Sequence, residues 1–184
     1  MNRPMAMIIR PEQVGDAAVV RTVLRAAFAH HLEVADLVEL IRASPEYVPE
    51  LALVATVSAD VVGFVMLSHA SLVDDSGERR QILTLSPLAV EPSCQGRGIG
   101  SALVRAGLAA AERLGEPLVV LEGSPRYYPR FGFRDCREFG ISLTLPDWAP
   151  PEAGMAIRLP GYHSGLRGRV VYPPAFAATG SGQS

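Results

Sequence analysis

The sequence predicts an α/β (α+β) fold in a single domain, with about seven strands and about four helices. Three observations carry that expectation. Short apolar runs alternate with longer stretches of helical period, in the order β-α-α-β-β-β-α-β-α-β-β. A length of 184 residues with 48% apolar and 20% charged side chains suits one core, able to bury roughly 70% of the unfolded surface. No internal repeat or linker divides the chain, so residues 1–176 read as one domain and 177–184 as a disordered tail.

The elements follow in order. Residues 5–9 read as a first strand, stopped by Arg10-Pro11. Asp16 is placed to cap a helix whose apolar face is Val19, Val20, Val23, Leu24, Ala27 and Phe28. Val34, Leu37, Val38 and Ile41 repeat that spacing over residues 34–43. Residues 51–58 and 61–69 read as a hairpin turning at Ala59-Asp60, and residues 74–80 as a polar loop. A strand over 82–90 runs into a glycine-rich turn and a helix over 98–114. Residues 118–121 form a further strand. Ser124-Pro125 is placed to open a short helix, which Phe131-Gly132-Phe133 leaves. Strands over 137–143 and 155–158 bracket a Pro-rich loop around Trp148, and residues 161–176 read as irregular.

Composition narrows the chemistry. All 17 cations are arginine, so a P-loop, a pyridoxal Schiff base, a protein-kinase lysine and an S-x-x-K nucleophile are excluded. A net charge of −2 and a pI near 6.1 argue against a nucleic-acid-coating protein. Cys94 and Cys136 alone cannot build a disulfide framework or a four-ligand zinc site, and no metal is expected. No charged-then-apolar leader opens the sequence, so the expectation is a cytoplasmic chain with reduced thiols. Apolar runs stop after about five residues, which gives no membrane segment.

The informative stretch is Leu88-Ala89-Val90-Glu91-Pro92-Ser93-Cys94-Gln95-Gly96-Arg97-Gly98-Ile99-Gly100-Ser101. It reads as strand, turn, three alternating glycines and helix. Such a turn brings bare amides and the positive end of a helix dipole up to a ligand, which suits a pyrophosphate, with Arg97 at its edge. Close helix packing is the competing reason for the glycines. A Rossmann site loses, because Ser101 follows Gly100 and no first βαβ unit precedes the turn.

Gln95-Gly96-Arg97-Gly98-Ile99-Gly100 resembles the Q/R-x-x-G-x-G/A signature of the GNAT superfamily of N-acetyltransferases. Tyr128-Pro129-Arg130-Phe131-Gly132-Phe133 follows in the order that family uses, and the YYxRFGF form resembles a branch of predicted acetyltransferases. The resemblance covers about residues 6–160 in element order. It implies a mixed, mostly antiparallel twisted sheet with a V-shaped splay between the fourth and fifth strands. It implies acetyl-CoA as acyl donor and direct transfer to an amine acceptor, with a homodimer as one arrangement the family uses. Backbone groups of Leu88, Ala89 and Val90 would hold the pantetheine arm, and an N–H of that strand would polarise the thioester. The amides of Gln95, Gly96, Arg97, Gly98, Ile99, Gly100 and Ser101 would hold the pyrophosphate.

In that pattern Tyr128 protonates or hydrogen-bonds the departing thiolate. Tyr127 packs on the cofactor or in the core, and Phe131 and Phe133 belong to the core. Glu122 is the first candidate for general base, followed by His69 and His163, while His30 and His31 are placed at a helix C-terminus. Ser124 stands where relatives often carry an acid. Cys94 reads as a small loop residue, and Trp148 as a packed anchor or an acceptor-site residue. Two other readings stay open: a non-catalytic acyl-CoA sensor of the same fold, and a transferase for a longer acyl donor.

Overall fold

The structure is a computed structural model and describes residues 6–179. Met5 of the predicted opening strand and residues 180–184 of the predicted tail lie outside the described residues. The first strand, β1 (Met7–Pro11), pairs antiparallel with β2 (Ala52–Val57). Asp16 does precede α1 (Ala17–Ala27), but its carboxylate turns backward rather than capping that helix. It accepts the Gln13 N–H at 2.8 Å and pairs with Arg10 at 2.6 Å, which fixes the β1–α1 connection. Val20, Val23 and Leu24 are buried, whereas Val19, expected on the same face, is 37% exposed. Helix α2 (Glu33–Arg42) buries Leu37, Val38 and Ile41 as its period requires.

Strand β2 turns into β3 (Asp60–Val73) at Ser58-Ala59, one residue earlier than expected. Both turn residues have positive φ, 51° and 74°, as the tight hairpin demands despite their Cβ atoms. Strands β3 and β4 (Arg79–Val90) are longer than the sequence suggested, so Arg79 and Arg80 belong to β4. The loop between them is held by the Asp74 carboxylate, which accepts the Ser76 and Glu78 amides at 2.9 and 3.0 Å.

Helix α3 (Ile99–Arg113) lies across β3, and two glycines let it come close. A Cβ at Gly63 would sit 2.9 Å from Leu103 and 3.1 Å from Ile99; one at Gly107 would sit 2.8 Å from Leu67. The next strand, β5 (Leu118–Glu122), runs parallel to β4 but pairs with it only at Leu83–Val119 and Thr84–Val120.

Three expectations beyond β5 are corrected. Ser124-Pro125 opens no α-helix; the Ser124 carbonyl accepts the Tyr127 and Tyr128 amides, and a 3-10 turn over Tyr128–Phe131 follows. Pro129, lacking an N–H, and Gly132, at φ 99°, keep that turn short. Of the strand expected over 137–143 only β7 (Ile141–Ser142) forms, and a two-residue strand, β6 (Arg134–Asp135), precedes it. Asp135 accepts the Arg137 amide at 2.9 Å and starts a 3-10 turn that Gly140 ends. After β8 (Gly154–Arg158), the stretch read as irregular supplies β9 (Gly168–Val171) and α4 (Pro174–Ala178). That helix crosses residue 177, where the disordered tail was expected to begin.

Among the described residues the sheet has nine strands instead of about seven, in the order β1-β2-β3-β4-β5-β8-β6, with β9 beside β3 and β7. It is mixed and mostly antiparallel: β4–β5 and β7–β9 are the parallel pairs. Alternation along β3 sends Val65 and Leu67 to the α3 layer and Phe64 and Met66 to the α1–α2 layer. No described helix is long and apolar enough to cross a membrane. Gly63→Val forces a branched side chain against Leu103, Ile99 and the Ala89 carbonyl. The expected loss is about 2 kcal/mol of stability, read as a lower urea midpoint with unchanged m-value.

Candidate active site

The separation of β4 from β5 leaves one side of β4 open beyond Thr84. Ser86-Pro87 forms a bulge there, since Val65 pairs with Leu88 but Leu67 pairs with Leu85. Proline tolerates that place because it has no N–H to lose from a ladder. Further along, the Glu91 amide donates to the Val62 carbonyl at 2.8 Å. The two-residue period then turns the Ala89 backbone toward β3 and those of Leu88 and Val90 toward the open side. The Val90 carbonyl accepts Gln95 Nε2 at 3.1 Å, in line with that direction.

At the end of β4 the chain makes a 3-10 turn and enters α3 through Gly96 and Gly98, at φ 75° and 82°. Both glycines face open space, so their conformation, not crowding, requires them. The first intrahelical bond runs from the Ala102 amide to the Gly98 carbonyl, 3.0 Å. No side chain caps the helix, and the amides of Ile99, Gly100 and Ser101 are left without intrahelical partners. Gly100 serves close approach instead, because a Cβ there would lie 3.1 Å from the Tyr127 hydroxyl.

These residues line a recess of about 480 Å³, which also takes in Leu88, Tyr127 and Arg130. It contains no carboxylate, and Arg130 is its one charged lining residue. The Arg130 guanidinium lies 4.7 Å from the Tyr127 ring centroid and donates to the Tyr127 carbonyl at 2.9 Å. Arg97 is exposed and does not line the recess, and the Gln95 amide is taken by the Pro92 carbonyl at 3.3 Å. Ile99 is buried and anchors α3 in the core, while Ser101 Oγ lies 3.4 Å from the Tyr127 hydroxyl.

Leu88 is shared with a second recess, of about 300 Å³, on the α1–α2 side. Tyr128 and Glu122 both line it. The Tyr128 ring is wedged among Tyr127, Phe131 and Phe133, with centroids 5.0, 6.3 and 5.8 Å away. Gly123 makes room for it: a Cβ there would lie 2.4 Å from the ring. Burial, with Tyr127 adding to it, pushes the Tyr128 phenol up to about 12. Glu122 keeps one side exposed, and lost hydration on the other raises its carboxyl above the usual range. It forms no salt bridge among the described residues.

The other candidates lie elsewhere. His69 bonds Glu116 at 2.8 Å and faces a separate groove of about 630 Å³ with Arg79 and Arg80. His163 and His30 are exposed, and His31 bonds Glu33 at 3.1 Å. Trp148 is 76% exposed, so it is no packed anchor, and it lines neither recess. Cys94 borders the turn recess, with Ser93 Oγ 3.8 Å from its Sγ. Arg130 and Gly123 were given no role from the sequence, although Arg130 stands inside the Tyr128–Phe133 motif.

Residues 49–135 match the family model described as an acetyltransferase (GNAT) domain. The chain is 36% identical over 123 residues to the uncharacterized N-acetyltransferase YjhQ of Escherichia coli strain K12, spanning 66% of each protein. It is 38% identical over 128 residues to the uncharacterized N-acetyltransferase YhbS of the same strain, spanning 69% of this chain and 73% of that one. The crystal structure of YhbS with CoA superposes with a TM-score of 0.84 at 29% identity, covering 96% of this chain and 95% of YhbS. A GNAT acetyltransferase from Brucella melitensis, crystallised with acetyl-CoA, gives a TM-score of 0.76 at 29% identity, covering 94% and 99%. Fold and relatives together define an acyltransferase. The chain belongs to the GNAT superfamily of N-acetyltransferases.

The raised phenol sets a pH test. Unfolded tyrosine titrates near 10, so the folded chain holds the Tyr128 proton to higher pH. That contribution to stability is fully present below about pH 10 and is lost as pH rises toward about 12. Tyr128→Phe is expected to flatten the decline of the unfolding free energy from urea melts over that window, by up to about 1.4 kcal/mol per pH unit. Equal slopes in both proteins would mean that the phenol is hydrated.

Proposed function

We propose that the protein transfers the acetyl group of acetyl-CoA directly to a primary amine. One observation carries this reading: the acid-free recess at the α3 terminus and the recess holding Tyr128 and Glu122 meet at Leu88, along one open strand. The amides of Ile99, Gly100 and Ser101, with Arg130, would hold the pyrophosphate. Leu88 and Val90 offer backbone groups to the pantetheine arm, and the N–H of this stretch would stabilise the oxyanion as it develops. The CoA and acetyl-CoA complexes of the YhbS and Brucella structures support the donor.

In the reaction the amine nitrogen bonds the acyl carbon, the carbon–sulfur bond breaks, and CoA leaves as thiolate. An ammonium would first give one proton to Glu122, the carboxylate that lines the second recess, and attack as the free amine; the proton left on the nitrogen after it bonds the acyl carbon would pass to water. The role of Tyr128 follows from magnitude. A phenol at about 12 facing a thiol near the cysteine value of ~8.5 would lose roughly 5 kcal/mol on full proton transfer. Tyr128 therefore acts by donating a hydrogen bond to the thiolate, keeping its proton.

The test is CoA release from acetyl-CoA over a panel of amines. Tyr128→Phe is expected to lower kcat about 100-fold while the KM for acetyl-CoA stays within about twofold. Full turnover by that variant at every pH would remove Tyr128 from the chemistry. Arg130→Ala is expected to raise the KM for acetyl-CoA roughly tenfold with little change in kcat. Tight acetyl-CoA binding by calorimetry with no transfer to any amine would make the protein a sensor.

A further inference from the structure

The acceptor side of the site has an unusual charge arrangement. Two recesses open beside β4, of about 300 and 180 Å³, and they share Leu85, Ser86 and Glu122. Among the described residues, Glu122 is the one charged residue lining either. The larger is walled by Phe28, Val34, Leu37 and Pro87. The smaller ends on Tyr172 and Phe176, whose ring centroids lie 5.0 Å apart.

Building on the acetyltransferase reading, we propose that the acceptor is a small primary monoamine on an apolar body, with its ammonium held by Glu122. Each part of that class follows from a lining group. One carboxylate neutralises one ammonium, and a second ammonium would lose its hydration against Phe28 and Leu37 without a partner. Polyamines and aminoglycosides fit poorly for that reason. An α-amino acid fits poorly for the opposite one. Its carboxylate lies two bonds from the reacting nitrogen, beside Glu122, and no arginine or histidine lines either recess to receive it. At roughly 30 Å³ for each water-sized group, the larger recess holds on the order of ten non-hydrogen atoms. An aryl- or alkylamine such as 2-phenylethylamine has that size and charge.

The experiment measures CoA release at saturating acetyl-CoA with 2-phenylethylamine, phenylalanine, spermidine and a lysine-bearing peptide. The expected kcat/KM for 2-phenylethylamine exceeds that of each of the others at least about 100-fold. Val34→Asp places a second carboxylate in the first turn of α2, where a helix accepts an acid. This variant is expected to lower kcat/KM for 2-phenylethylamine about tenfold and to raise it for spermidine, with the KM for acetyl-CoA unchanged. Equal or better use of phenylalanine, spermidine or the peptide by the unaltered protein overturns the monoamine class and leaves acetyl transfer standing. No transfer to any of the four overturns the monoamine class, and acetyl transfer falls with it only if the wider amine panel also gives no CoA release.

Discussion

The site depends on how briefly β4 and β5 pair. After Leu83–Val119 and Thr84–Val120 the two strands part, and Leu88 and Val90, paired with β3 on one side, have no strand partner on the β5 side. Unpaired strand edges carry a cost when buried, so a fold that keeps one open needs something to fill the wedge. Here aromatic rings do so. Phe133 is 1% exposed beneath the Tyr128 ring, and Tyr127 and Phe131 meet edge to face at 5.3 Å. Gly123 and Gly100 complete the arrangement, because each leaves room where a Cβ would collide with or crowd one of the two tyrosines.

Charge divides the cleft into two chemical halves. The α3 end offers uncapped amides and one arginine, with no acid among its lining residues. The β5 end offers one carboxylate and no cation. The proposed anionic donor and cationic acceptor would thereby be drawn to opposite ends of a single strand, where both recesses include Leu88. The absence of lysine adds to this separation. Every side-chain cation is a guanidinium, which stays charged and is not acylated as an amine would be, so none competes with the acceptor.

The parts legible in the sequence are those set by local periodicity and by backbone rules. The apolar spacing of α1, α2 and α3 survives folding nearly unchanged, because each helix buries one stripe. The alternating glycines at 96 and 98 were readable for a similar reason: positive φ is a local demand. Elements whose stability comes from distant partners were not readable. Strand β9 exists because it pairs with β3 and β7, and α4 because Phe176 packs in the α1–α2 layer. Residues 137–143 have strand composition, yet the Asp135–Arg137 contact starts a 3-10 turn over Cys136–Phe139 and leaves only Ile141–Ser142 as strand. At the site, Arg97 looked like the phosphate cation by adjacency, whereas the turn carries it outward and Arg130 lines the recess.

Sequence alone determined the class of fold, the glycine turn that leads into α3 and the tyrosine pair that follows it, since these rest on glycine geometry and residues close in the chain. Tertiary structure decided which groups face one another. Tyr127 goes to the α3 recess and Tyr128 to the Glu122 recess, although they are adjacent, because the turn at Ser124 points successive rings to different sides. It also decided how strongly Tyr128 keeps its proton and that Glu122 stands as the lone charge opposite an apolar wall. Those properties come from burial and from what surrounds a group in space, and no spacing along a chain encodes them directly.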